Sequence, residues 1–463
     1  MEWRSTWTDP FQEYLKPFAS LIGDRRTWGT LLATVKGIIA SGSVIGERIA
    51  ACSEELSQSK NGAQRVLRMA KGESTKRSEL DAEALTARLR QVGVEQLQES
   101  EAEEVWLIAD GSDLCKPYAQ EMPYLMQVRD KNKKLVPGYR TLTVLAVTPK
   151  RRGILYQKVL SSEEPGFLSE PAEVQTMLAT VHQAVREGQV EAQVSWLLDS
   201  GFDDVAVWRT IWEQEDHVVC RVCQRTRLVE WQTESGAWSK GPLEEAAKRL
   251  KTLALVRAKM EVPLGKQAHP KQQEVEVEIS ACSFRLAYHS EVRRCDQGPD
   301  QLLHKDLWLV QVRLLNCPWE PWWLITDWPV TTEAEAMRIF SMYRQRWGVE
   351  ESFKFTRSVA GLGGRASSRL AGHQDVGSVS LGCSGLFVRD GRDVFLGRGP
   401  IARQTRRLCS PSWPLSGQDR LATRSGAFAG DARHAGDSLS LCFPAWDLTS
   451  QHCRFLARSF SSQ

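Results

Sequence analysis

VWLIAD, Val105–Asp110, is an unbroken apolar run that stops at a carboxylate, and SWLLD, Ser195–Asp199, repeats the arrangement further along the chain. Short apolar runs of this length read as strands buried on both faces of a sheet. An aspartate at the carboxyl end of such a strand stands where open α/β sheets build their sites. Working outward, TLTVLAVTP (141–149), GILYQKVLSS (153–162) and HVVCRVC (217–223) predict further strands. EPAEVQTMLATVHQAVRE (170–187) and DVAVWRTIWEQ (204–214) carry helical spacing. Residues 100–223 therefore read as the first part of an α/β core.

Beyond it, residues 224–330 form a β-rich insertion. EVEVEISACSFRLAY (274–288) and LWLVQVRLL (307–315) alternate for part of their length, which predicts sheets with one wet face, and PLEEAAKRLK (242–251) predicts a short helix. A closing helix over 331–360 starts after Pro329, with Thr331 or Thr332 as N-cap and glutamates in its first turn. Residues 1–95 read as all-helical, through WGTLLATVKGIIA (28–40), SVIGERIAACSEEL (43–56) and AQRVLRMAKG (63–72). In the last of these Arg65, Arg68 and Lys71 recur every third residue, with Lys60, Lys76 and Arg77 around them against a single Glu73. Such a helix either lies along a DNA groove or is a solvated face.

Composition bounds the class. A chain of 463 residues exceeds one hydrophobic core, so several domains are expected. The net charge of +3 is too small to require a nucleic-acid partner, although local basic clusters can supply one. No basic start followed by an apolar run opens the chain, and Lys36 interrupts its most apolar early segment. A cytoplasmic, nucleoid-associated protein with no membrane partner is the expectation. Of the 11 cysteines only Cys220 and Cys223 stand in a CxxC pair. With no second pair at zinc spacing, VVCRVC reads as a buried strand using cysteine as a small hydrophobe.

From Gly361 to Gln463 the chain has no Lys, Glu, Tyr, Met or Asn. Average usage of Lys and Glu alone would place roughly fifteen residues there. Arg, Ser and Gly dominate without periodicity, so 361–463 reads as an irregular tail translated from a displaced reading frame; an arginine-rich disordered tail that binds nucleic acid is the other reading. Retranslating the nucleotide sequence beyond about codon 362 in the other two frames separates the two readings.

The closing helix carries the densest chemistry. In MYRQRWGVEESFKFTR, Met342–Arg357, a continuous helix at 100° per residue would set Tyr343, Arg346, Glu350 and Arg357 within about 60° of one another. With Asp110 and Asp199 this supplies three carboxylates on different elements, the ligand type that hard divalent cations take. Arg346 could orient Glu350, and Arg357 could hold a phosphate in two-pronged fashion. Taken singly, Asp110 could cap a turn, Asp199 could begin a loop and Glu350 could pair with Arg346. Asp113, Asp203, Asp204 and Glu351 are the neighbouring acids that could serve instead.

These residues resemble the DDE-type insertion-sequence transposases of the insertion-sequence-four family, in the branch marked by a Tyr-x2-Arg-x3-Glu-x6-Lys signature. Tyr343, Arg346 and Glu350 match its first three positions, and Arg357 stands where the signature has lysine. ADGSDLCKPYA around Asp110 and LLDSGFDD around Asp199 resemble the family's two aspartate regions, so the likeness spans roughly residues 30 to 360. The resemblance implies an RNase H-like core interrupted by a β-rich insertion, preceded by an N-terminal all-α DNA-binding region and followed by the irregular C-terminal tail.

It implies Asp110, Asp199 and Glu350 as catalytic ligands of two Mg²⁺ or Mn²⁺ ions. The implied chemistry is hydrolysis at insertion-sequence ends, then attack of the freed 3′-hydroxyl on target DNA, by a homodimer in a synaptic complex. Tyr343, Arg346, Arg357, Arg65, Arg68 and Lys71 would contact double-stranded DNA, and Trp322, with Trp323 next, would stack on a flipped base. Nothing after about Leu362 resembles the family's closing helices. The expectation is therefore a transposase, active or decayed by a frameshift. A non-catalytic remnant that binds element ends is the alternative, and an unrelated metal nuclease with the same core is a third reading.

Overall fold

The computed structural model describes residues 10–346, apart from 58–60, 72–79, 118, 120–121, 131, 263–270, 288–304 and 318. At its centre β1 (Glu104–Cys115) pairs antiparallel with β3 (Leu135–Val147), which pairs antiparallel with β4 (Arg152–Leu160). On its other side β1 runs parallel to β5 (Gln193–Leu198), and β5 parallel to β6 (His217–Arg221). Three antiparallel strands followed by two parallel ones, in the spatial order β4-β3-β1-β5-β6, is the RNase H-like arrangement. β2 (Met126–Arg129) adds a short pairing at the start of β3.

The insertion does not stand apart from this sheet. β7 (Leu228–Gln232), β8 (Trp238–Pro242), β9 (Lys251–Val262), β10 (Lys271–Leu286), β11 (Asp306–Leu314) and β12 (Trp322–Thr326) extend it past β6, beginning with antiparallel pairing of β12 to β6. One 12-stranded sheet results. Alternation in β10 and β11 holds only in segments, and the one wet face expected of them is not kept: Val275, Val277, Ile279, Val310 and Val312 join the core on one sheet face, whereas Cys282, Phe284, Leu286, Leu307 and Leu309 join it on the other.

Helices cover both faces. α1 (Pro10–Leu15), α2 (Arg25–Ser41), α3 (Gly46–Cys52), α4 (Glu54–Ser57), α5 (Gly62–Lys71) and α6 (Ala82–Ser100) precede the sheet. The Asp24 carboxylate accepts from Arg26 N and Thr27 N to start α2, and Asp81 does the same for α6 through Ala84 N. α6 lies flush on β4 because Gly93 meets Gly153: a Cβ on Gly93 would come 2.6 Å from the Ile154 carbonyl oxygen. Among the described residues no single helix is long and apolar enough to cross a membrane.

α7 (Glu170–Glu187), capped by Ser169, and α8 (Val205–Trp212), capped by Asp204, carry the crossovers to β5 and β6. They pack with α9 (Leu243–Ala246) on one sheet face through Val105, Leu107, Ala109, Trp196 and Leu198. The opposite face, with Ile108, Leu145, Leu197 and Val219, receives α10 (Glu333–Arg344) and residues of the N-terminal helices. Thr332 caps α10 in a full capping box with Glu335, as the sequence predicts. The described helix ends at Arg344, and Arg346 N donates to Tyr343 O in a tightened turn; residues 347–360 of the expected closing helix lie outside the described residues.

Candidate active site

Strand register brings the two aspartates together. Ala109 pairs with Leu198, so the next residues, Asp110 and Asp199, stand side by side. β5 ends there, as expected. β1 does not: it continues to Cys115 against β3, which makes Asp110 the point where parallel pairing stops and not the end of the strand. The same register reaches further in both directions. Asp110 faces Thr143 on β3, Thr143 faces Gln157 on β4, and Leu198 pairs with Cys220, which puts Arg221 beside Asp199. A single row, Gln157–Thr143–Asp110–Asp199–Arg221, therefore crosses five strands on the α10 face of the sheet.

Helix α10 delivers Tyr343 onto this row. Tyr343 is 2% exposed and packs against Trp322, ring centroids 5.9 Å apart. Burial raises the phenol well above its ordinary pKa; Arg346 and Arg221 pull it down while the Asp199 carboxylate pushes it up, which sets all three charges around one hydroxyl. Arg346 Nη1 lies 3.5 Å from Asp110 Oδ2, and both residues are buried. Tyr343 Oη and Asp199 Oδ1 are buried with no hydrogen-bond partner among the described residues. Buried polar atoms in native proteins are paired in the great majority of cases, so these two are placed to meet a ligand.

Three of the substitute acids, Asp113, Asp203 and Asp204, are otherwise engaged. Asp203 is fully buried: Oδ1 accepts from Arg227 Nη1 at 2.7 Å, and Oδ2 from Cys223 N at 2.7 Å and Gln224 N at 2.8 Å. Arg227 also lies 4.5 Å over the Trp208 ring. Asp204 caps α8, and Asp113 pairs with Arg140 at 3.2 Å while accepting Arg129 N. Among the described residues no group of three His, Cys, Asp or Glu side chains is arranged to hold a metal. Asp110 and Asp199 supply two hard oxygen donors, one of them an orphaned buried oxygen, which fits a divalent cation lacking its third ligand. Glu350, Glu351 and Arg357 lie outside the described residues, as does the tail over 361–463.

Other expected contacts separate from this site. Trp322 is 6% exposed, wedged between Phe340 and Tyr343, so its ring is not offered to solvent in this structure. Trp323, on the opposite face of β12, carries Arg225 at 4.9 Å over its ring. On α5 the half-buried Arg65 donates Nη2 to Thr30 Oγ1 at 3.2 Å, whereas Arg68 is exposed and Lys71 closes the helix. Cys220 is a buried strand cysteine whose thiol burial pushes up, as the sequence reading has it, whereas Cys223 is exposed and lies past the end of β6 at Arg221, contrary to that reading. Arg221 is the residue that reading passed over: within HVVCRVC it looks like one polar position of a strand, and only register sets it next to Asp199.

No protein-family model matches the chain, and no curated protein sequence does. Among solved structures it is similar to the piggyBac transposase synaptic complex with hairpin DNA, at 10% identity and TM-score 0.40 over 89% of this chain and 76% of that one. It is also similar to the Mos1 mariner paired end complex with Mn, at 18% identity and TM-score 0.17, and to a pre-cleavage Mos1 transpososome, at 17% and 0.16. In both of these cases 37% of this chain and 53% of the other are covered.

Proposed function

We propose that this chain is a DNA transposase of the DDE type, catalysing metal-dependent phosphodiester hydrolysis and strand transfer at insertion-sequence ends. The observation that carries the reading is the adjacency of Asp110 and Asp199 on an RNase H-like sheet, with one Asp199 oxygen buried and unpartnered and two arginines beside them. The carboxylates of Asp110, Asp199 and Glu350 would hold two Mg²⁺ or Mn²⁺ ions, which when bound neutralise phosphate charge and acidify a water or hydroxyl. Arg346 pairs with and orients the Asp110 carboxylate, and Arg221 offers a guanidinium to a phosphate lying along the row. Tyr343, kept protonated by its burial, can donate its hydrogen bond to an anionic oxygen and cannot act as a base. Exposed Arg68 is one N-terminal group available to duplex DNA, and a homodimer assembled on two element ends is part of the same proposal.

The test uses the full chain, Mg²⁺ or Mn²⁺, and a plasmid carrying the genomic flanks of its own reading frame. Wild type nicks at the flanks only with metal. Asp110→Asn, Asp199→Asn and Glu350→Gln each lower nicking by about a thousandfold or more while DNA affinity stays within about threefold. Binding without nicking by wild type would leave only the DNA-binding remnant, and near-normal nicking by Asp199→Asn would reject this site.

A further inference from the structure

The row across the sheet is chemically lopsided. On the Asp199 side it ends in Arg221, with Arg346 above Asp110; on the other side it ends in the uncharged Thr143 and Gln157. One step along β1 from Asp110, Ser112 faces the same way and adds a second hydroxyl. Thr143 is 4% exposed and Ser112 8%. Thr143 Oγ1, Ser112 Oγ and Gln157 Oε1 are all buried without a hydrogen-bond partner among the described residues. Neighbouring Thr141 differs: its hydroxyl donates to Ser112 O at 3.0 Å. Three orphaned neutral oxygens on one side of a carboxylate pair are costly in an apolar core and ordinary in a pocket that holds water.

We infer that Ser112, Thr143 and Gln157 form a hydroxyl-binding ledge that holds the neutral oxygen nucleophile beside Asp110, opposite the cationic side that takes the phosphate. The inference rests on the nuclease reading above and names a subsite within it. The ligand class is water or an alcohol. Hydroxyls at 112 and 143 both donate and accept, and the Gln157 carbonyl accepts, so together they can take both O–H bonds of a water or fix the single O–H of an alcohol. In hydrolysis the water oxygen bonds to phosphorus as the bond from phosphorus to the 3′-oxygen breaks. One proton of the water ends on the 3′-oxygen and the other is released from the new phosphate monoester. With an alcohol, its oxygen bonds to phosphorus, its proton ends on the 3′-oxygen, and the product is a diester.

The test replaces two of the three orphans by apolar isosteres in the full chain, Thr143→Val and Gln157→Leu, with Thr143→Ser as the conservative control. Nicking of the flank-bearing plasmid with Mg²⁺ is measured with and without added methanol, scoring 5′-phosphate against 5′-phosphate methyl ester by mass spectrometry. The expected result is a fall in hydrolysis of at least about tenfold and a shift of at least about threefold in the ester-to-phosphate ratio, with DNA affinity within about twofold. Thr143→Ser restores both, and the melting temperature of the metal-free valine and leucine variants stays level or rises, since an unpaired buried group has been removed. Equal loss of both products together with a lower melting temperature would show a structural role and overturn the inference, as would unchanged hydrolysis. If wild type shows no metal-dependent nicking, it is the nuclease reading that fails. A high-resolution crystal structure then decides the ledge alone: ordered water on Thr143 and Gln157 supports it, and a dry site overturns it.

Discussion

Asp199 and Asp203 sit on the same loop and meet opposite fates. The Asp203 carboxylate accepts from Arg227 and two backbone N–H groups, three hydrogen bonds that lock it in place. Breaking such a buried pair typically costs about 3–5 kcal/mol, which makes Asp203 and Arg227 holders of the loop that presents Asp199. A different, half-buried acid gives a pH signature. The Asp216 carboxyl is pushed up to about 6, chiefly by burial, against the smaller opposing pull of the Trp196 indole N–H and of His217. A folded-state value above the unfolded one means that the folded protein binds this proton more tightly. Its stabilising contribution is therefore full below about pH 4 and is lost as pH rises through about 6. Asp216→Asn keeps an oxygen for Trp196 and removes the charge. Urea unfolding should show it more stable than wild type by about 1–3 kcal/mol at pH 8 and nearly equal at pH 4; the same gain at both pH values would contradict the assignment. The two site aspartates were legible in the chain because each terminates an apolar run. Arg221, Thr143 and Gln157 were not, because a polar residue in a strand acquires a role only from the strand placed beside it, and that pairing is non-local.

Elements followed local rules where local rules suffice. α7, α8 and α10 begin at their Ser169, Asp204 and Thr332 caps, and the core strands occupy their apolar runs. The turn at Gln345–Arg346 cannot be read from the periodicity of Met342–Arg357, because it rests on contacts that periodicity does not record. Arg344 Nη2 donates to Lys259 O on β9 at 2.8 Å, and the Arg346 guanidinium lies by Asp110, so the turn is fixed by two distant strands. Close packing of α6 on β4 is similarly invisible to periodicity. Gly93→Ala gains about 1 kcal/mol of helix propensity, but its methyl would stand 2.6 Å from a backbone oxygen that a rotamer change cannot move. Overpacking costs of about 1–3 kcal/mol should win, giving a lower melting temperature. An unchanged or higher melting temperature would mean that α6 can lift from Ile154 at no cost.

At the scale of the whole molecule, the insertion is part of the central sheet and not a lobe attached to it. A β-rich block between two parts of an α/β core suggests a separable domain, since a sequence shows where strands are but not what they pair with. β12 pairs with β6, and both hydrophobic clusters draw on core and insertion together: Ile108 and Leu197 with Val310 and Leu324 on one face, Trp196 and Leu198 with Leu309 and Ile325 on the other. Stripping the insertion away would expose those residues and leave β6 a bare edge. The base of the sheet is tied across the same seam. Asp327, just past β12, accepts Val218 N at 2.8 Å and lies 2.9 Å from His217 Nδ1; Trp328 stacks on His217 at 3.7 Å and under Arg338 of α10 at 3.8 Å. Core, insertion and α10 should therefore unfold as one cooperative unit. Native-state hydrogen exchange under increasing denaturant tests this directly. Amides of β11 and β12 should open at the same free energy as those of β1 and β5, within about 0.5 kcal/mol, and Asp327→Ala should lower both sets together. If β11 and β12 exchange through a lower-energy opening while β1 and β5 stay protected, the insertion is a separate foldon, and the row from Gln157 to Arg221 would not depend on it.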